Sequence, residues 1–205
     1  MNSQTSRFRV VLAAFGALLL GACGETQEPI GPSPDGVDIR GSSLGGDFTL
    51  TGSDGKPVSW SEYDGRYRII YFGFTFCPDI CPTDLSRIAR GLRDFEKAEP
   101  ELAAKIQPIF VTVDPERDTP EVVGEFAANF HPRLIGLTGS QEQIRALLGQ
   151  YGSSAKKIPV NDAGDYTMQH TSFSYLFGPN GEPLVILPTD KGGAAVGEEL
   201  ARWVR

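Results

Sequence analysis

Apolar residues fall into short dense runs, separated by polar stretches that carry glycine and proline, and each run reads as one element of a layered domain. Asp47 to Leu50, followed by Gly52-Ser53-Asp54-Gly55, predicts a short strand and a turn, and Val58 to Tyr63 leads onward from it. Tyr67 to Thr75 is almost continuously apolar or aromatic, as in a strand buried on both faces, and it delivers the chain to Cys77. Beyond Cys81, Pro82 stands where a helix best tolerates proline. Leu85, Ile88, Ala89, Leu92 and Phe95 then recur at helical spacing, which predicts a helix from Pro82 to about Lys97. Ile106 to Val113 predicts a second buried strand, and Thr119-Pro120-Glu121 opens another helix. Arg133 to Leu137 predicts a third strand, and Ser140-x-x-Gln143 is a capping box opening a helix that runs to Tyr151. Gly152 to Thr167 reads as polar and irregular. Thr171 to Phe177 and Glu182 to Leu187 flank the hairpin signal Pro179-Asn180-Gly181, and Ala194 to Val204 closes the chain as a helix.

Strands alternating with helices, then a hairpin and a last helix, predict an α/β domain with a thioredoxin-like fold: a mixed central sheet flanked by helices. Ligand sites in such sheets lie beyond the carboxyl ends of the strands, where Cys77 falls.

The apolar run from Val10 to Leu20, preceded by Arg7 and Arg9 and ended by Gly21-Ala22, has a different build from the rest and predicts an export signal over residues 1–22. It is about half the length that a membrane-spanning helix needs. Leu20-Gly21-Ala22-Cys23 resembles a lipobox, so Cys23 is expected to carry a lipid and to hold the protein on the outer face of a bacterial membrane. The plainer alternative is a secretory signal with a leftover cysteine. From Gly24 to about Gly46 the chain is rich in Gly, Pro and Ser, which predicts a flexible tether after the lipidated residue (23–46) and a folded domain over 47–205.

The 205 residues, 40% of them hydrophobic, suffice for one domain with a buried core. After removal of the signal the chain holds 17 basic against 26 acidic residues. It therefore lacks the basic surface that would bind nucleic acid, or cling by charge to anionic lipid. A monomer is the default expectation.

Three cysteines and two histidines leave few candidates for soft-metal or thiol chemistry. Cys77-Pro78-Asp79-Ile80-Cys81-Pro82 places two thiols at a strand-to-helix junction, where the helix N-terminus is expected to stabilise thiolate. Three residues separate them, one more than in the thioredoxin redox motif. His170, set between a polar stretch and a predicted strand, is expected at the sheet edge that carries Cys77. Two cysteines and one histidine make a three-coordinate set, which suits Cu(I), whereas structural zinc takes four protein ligands. A structural disulfide between Cys77 and Cys81 is the alternative for the pair, and an ordinary loop histidine the alternative for His170. His131, at the end of a helix, reads as a structural cation on the helix dipole. Asp114 and Asp118 read as turn and cap residues that lie near the metal edge, and Met168, near His170, as a core or loop residue with a soft thioether ligand as its alternative.

The blocks Phe72-Gly73-Phe74-Thr75-Phe76-Cys77-Pro78-Asp79-Ile80-Cys81-Pro82, Val113-Asp114-Pro115-Glu116-Arg117-Asp118-Thr119-Pro120, Leu137-Thr138-Gly139, and His170-Thr171 through Gly178-Pro179-Asn180-Gly181 closely resemble the Sco/SenC family, in that family's order. The resemblance implies a copper-binding, thioredoxin-like protein that assists assembly of the dinuclear copper centre of cytochrome c oxidase. Its partner would be the copper-site subunit of that oxidase. It implies Cys77, Cys81 and His170 as ligands of a copper ion, Cu(I) or also Cu(II). One departure is Gln169, where the family often has an acidic residue before the histidine; an amide offers only a neutral hydrogen bond in its place. Within this reading two activities compete. One is a metallochaperone without catalytic turnover. The other is a thiol-disulfide oxidoreductase in which Cys77 attacks a partner's disulfide and Cys81 resolves it. A peroxidase of the thioredoxin superfamily matches the cysteine spacing less well.

Overall fold

The structure is a computed structural model, described over residues 31–205; the expected signal and Cys23 lie outside the described residues. Three parallel strands form its centre: β4 (Tyr67–Gly73), β5 (Ile106–Thr112) and β6 (Ile135–Thr138). Every residue of β4 and β5 is buried, as the dense apolar runs require of strands covered on both faces. Antiparallel strands extend this core on both sides. β9 (Ser174–Phe177), β10 (Pro183–Leu187) and β1 (Val37–Asp38) continue it beyond β4, and β2 (Thr49–Gly52) and β3 (Pro57–Ser59) beyond β6. The result is one mixed eight-stranded sheet.

The helices are α1 (Ile80–Ala98), α2 (Pro100–Ala103), α3 (Pro120–Ala128), α4 (Gln141–Gln150) and α5 (Gly193–Trp203). None of those described is long and apolar enough to cross a membrane. Both expected helix starts occur: Thr119 caps α3 by accepting from the Val122 N–H, and Ser140 and Gln143 of α4 bond reciprocally. α1 and α5 cross at Gly91, where a Cβ would meet the Gly193 carbonyl at 2.8 Å and Val196 Cγ1 at 2.7 Å. Only glycine admits so close an approach.

Four expectations are corrected. Helix α1 begins at Ile80, two residues before Pro82, with Asp79 as its N-cap residue, so Cys81 lies inside its first turn. The stretch expected to be irregular contains a separate hairpin, β7 (Ala155–Pro159) paired with β8 (Tyr166–His170). The following strand starts only at Ser174. Ordered structure also precedes Asp47. β1 pairs Val37 with Ile186 and Asp38 with Val185, and the buried Glu199 carboxylate accepts the Ser33 N–H at 3.1 Å and 3.2 Å. Beyond Ile39 and Leu44, which pack on the core, this docking runs through the backbone and leaves no apolar pattern among the Gly, Pro and Ser.

His131 is structural, but not as a cation on a helix dipole. It is buried; its Nδ1 accepts from the Arg133 N–H at 3.2 Å, so Nε2 carries the proton toward Glu96 at 3.3 Å. Burial lowers its pKa despite the opposing pull of Glu96, which keeps the ring neutral.

Candidate metal centre

β4 ends at Gly73, and the chain turns through Phe74–Asp79 into α1, with the Cys77 N–H bonded to the Phe74 carbonyl at 3.3 Å. The turn is tight beneath the thiols, since a Cβ on Gly73 would meet Cys81 Sγ at 3.1 Å and Phe110 at 3.0 Å. Cys77 is half-buried and Cys81 fully buried, and both are free thiols. The Cys81 N–H, one of the unpaired donors of the first helical turn, points at Cys77 Sγ at 3.4 Å. His170 ends β8, and its Nε2 lies 3.3 Å from Cys81 Sγ. The three donor atoms lie within 4.8 Å of one another, and they form the group of potential metal ligands found among the described residues.

The imidazole is oriented from behind. Its Nδ1 lies 3.0 Å from the Thr171 carbonyl, which can only accept, so Nδ1 carries the proton and the Nε2 lone pair faces the sulfurs. Phe74 meets the ring edge-on at 5.8 Å. Burial lowers the His170 pKa against the smaller opposing effect of Thr171, which favours the neutral, ligating form.

Cys81 departs from expectation. Its position in the first turn of a helix should favour thiolate, yet burial, reinforced by Cys77, pushes its thiol well above the ordinary range. Desolvation outweighs the helix end at this depth. With Nε2 left as an acceptor, the Cys81 thiol is the group that donates to it, along the line a soft cation would take over. Two sulfurs and one imidazole fit Cu(I) without a fourth protein donor.

Above the thiols opens a cleft of about 300 Å³, lined by Phe74, Cys77, Ile80, Met168, His170 and Ser172. Met168 is buried in the core, as expected of it. Neither Asp114 nor Asp118 joins the donor group. Asp118 is fully buried beneath the cysteine loop and accepts from the Thr75 N–H at 3.0 Å, the Thr75 hydroxyl at 2.6 Å and the Thr112 hydroxyl at 2.6 Å. It therefore ties the cysteine loop to the end of β5, while Thr119 does the capping. Nothing local in the sequence signals this, because the bonded residues come together only when β4 and β5 pair.

Comparison with known proteins gives the same picture. The chain is 39% identical over 143 residues to the mitochondrial protein SCO2 of Saccharomyces cerevisiae, covering 68% of this chain and 46% of that one. It spans about half the length of the curated relatives it matches, covering 46% and 56% of the first two. The copper-bound structure of Bradyrhizobium japonicum ScoI superposes with a TM-score of 0.70 at 38% identity, over 78% of this chain and 99% of that one. The thioredoxin domain of a Bacteroides vulgatus thiol-disulfide oxidoreductase, at 16% identity and a TM-score of 0.53 over 81% of this chain and 98% of that one, shares the fold alone. The SCO1/SenC family model matches residues 37–205, the eight-stranded sheet and the hairpin together, and the chain belongs to the SCO1/SenC family.

Proposed function

We propose that this protein binds one Cu(I) ion through Cys77, Cys81 and His170 and hands it to the copper-site subunit of a cytochrome c oxidase during assembly of its dinuclear copper centre. The observation that carries the reading is the convergence of two thiols and an imidazole lone pair within 4.8 Å. The copper-bound ScoI relative supports it. Cys77 and Cys81 bind as thiolates, so loading releases their protons, and His170 binds with its free Nε2. Half-buried Cys77 is the thiolate a recipient reaches first, whereas fully buried Cys81 retains the ion until exchange begins.

Cleavage after Ala22 and acylation of Cys23 would place the domain on the outer face of a bacterial membrane, with residues 24–30 leading into the described domain. The unequal exposure of the two sulfurs also favours a second activity. Cys77 thiolate attacks a partner's disulfide, giving a mixed disulfide and a departing partner thiolate. Cys81 thiolate then displaces the partner's remaining sulfur, so the partner leaves reduced and the pair is left oxidised. This activity has no use for His170, and the raised pKa of Cys81 slows its second step.

The test is Cu(I) stoichiometry and affinity of the reduced protein, measured by competition with a chromogenic chelator, beside His170→Ala. One-to-one binding that weakens by about a hundredfold in the variant is expected. Binding that is absent, or indifferent to His170, overturns the chaperone reading in favour of the dithiol reductase.

A further inference from the structure

His170 reaches the thiols from a hairpin that, among the described residues, pairs with no other strand, so what holds the hairpin in place decides where the imidazole sits. Tyr166, at the start of β8, donates its hydroxyl to Asp114 Oδ1 at 2.9 Å. Fully buried Asp114 also accepts from Arg117 Nε at 2.5 Å, and Arg117 Nη1 donates to the Tyr166 carbonyl at 3.0 Å. The guanidinium lies 3.9 Å from the centre of the Tyr166 ring and 4.9 Å from that of Phe76, the residue before Cys77. Its buried Nη2 has no hydrogen-bond acceptor among the described residues. Lys157 of β7 adds a pair with Glu116 and lies 4.5 Å over the same tyrosine ring. Burial and the Asp114 carboxylate push the Tyr166 phenol up to about 12, so it remains a donor at neutral pH.

One guanidinium thus touches both the cysteine loop and the hairpin carrying the histidine. We propose that Asp114, Arg117 and Tyr166 form a latch that clamps the β7–β8 hairpin to the cysteine loop and controls how readily His170 leaves the thiols. The three are positioning residues, since none offers a donor to the metal group. The inference rests on the copper reading above: departure of His170 leaves two thiolates on the ion and opens a position for a recipient's donor. Closed, the latch retains the ion; open, it lets exchange begin.

The experiment compares the wild-type protein, Tyr166→Phe, Arg117→Lys, His170→Ala and the Tyr166→Phe/His170→Ala double variant. Amide exchange of the metal-free protein is read first. In Tyr166→Phe and Arg117→Lys, amides of residues 155–170 should exchange about tenfold faster, with β4 and α1 unchanged. Transfer of Cu(I) from the loaded protein to a chromogenic bidentate chelator should quicken by about the same factor in Tyr166→Phe, and the substitution should add nothing once His170 is gone. Unchanged exchange, acceleration spread over the whole domain, or the same gain in transfer without His170 overturns the latch. Copper binding indifferent to His170→Ala overturns it as a statement about copper. That failure of the underlying reading is told apart from failure of the latch because the metal-free exchange pattern needs no ion.

Discussion

The thiols and the imidazole stand on supports of opposite kinds. Cys77 and Cys81 follow a strand whose seven residues are all buried, in the turn and the first turn of a helix packed against α5. His170 ends a two-stranded ribbon of whose ten residues only Met168 is buried. The first support is held by dispersion and apolar burial throughout, the second by Met168 alone in the core, a few polar contacts and one guanidinium. A site divided this way would let one donor move while two stay fixed, so stability and metal grip should respond to different substitutions.

The sharpest way to break this contrast is in the framework. Phe72 is fully buried against Tyr151 and Tyr175, and Phe72→Ala should lower the unfolding free energy of the reduced, metal-free protein by about 3–5 kcal/mol in urea. A loss below about 1 kcal/mol would mean that the framework tolerates cavities and that the two supports are alike.

A smaller effect is expected from pH. Since the folded pKa of His131 lies below the unfolded value, the unfolded chain takes up the proton first. Its contribution to stability is complete above the unfolded value of about 6.5 and is lost as pH falls through the lower, folded one. Urea midpoints taken between about pH 7.5 and about pH 5.5 should fall more steeply in the wild type than in His131→Gln. Equal slopes would show that this buried ring does not report on the framework.

The smallest effect belongs to the ribbon. Ile158→Ala, at a half-buried position of β7, should change global stability by less than about 1 kcal/mol. A loss as large as that of Phe72→Ala would join the hairpin to the core.

What was legible in the sequence follows the same division. β4, β5 and α1 were readable because burial on two faces, or on one helical stripe, writes itself as dense or periodic apolar residues. The grouping of Cys77, Cys81 and His170 was readable because cysteine and histidine are rare in this chain. β7 and β8 were not, because a largely wetted ribbon needs no alternation: Lys156 and Lys157 are both exposed side by side, where ordinary strand patterning would bury one of them. Asp118 and Arg117 look like turn residues until β5 and β8 are brought to them. The high pKa of Cys81 was hidden for a related reason, since depth beneath the loop is a tertiary quantity and a helix start is a local one.

The sheet's two margins are protected unequally. At one end β3 is only three residues long and begins with Pro57, a residue that cannot extend a ladder. At the other, the apolar Pro-Leu-Val-Ile-Leu stretch of β10 is shielded by the two residues of β1, themselves moored through Ser33 to Glu199. Trimming the chain at Asp47 would strip that shield and leave an adhesive strand free to pair with its copy in another molecule, so the solubility of a shortened domain hangs on a segment that carries few apolar residues of its own.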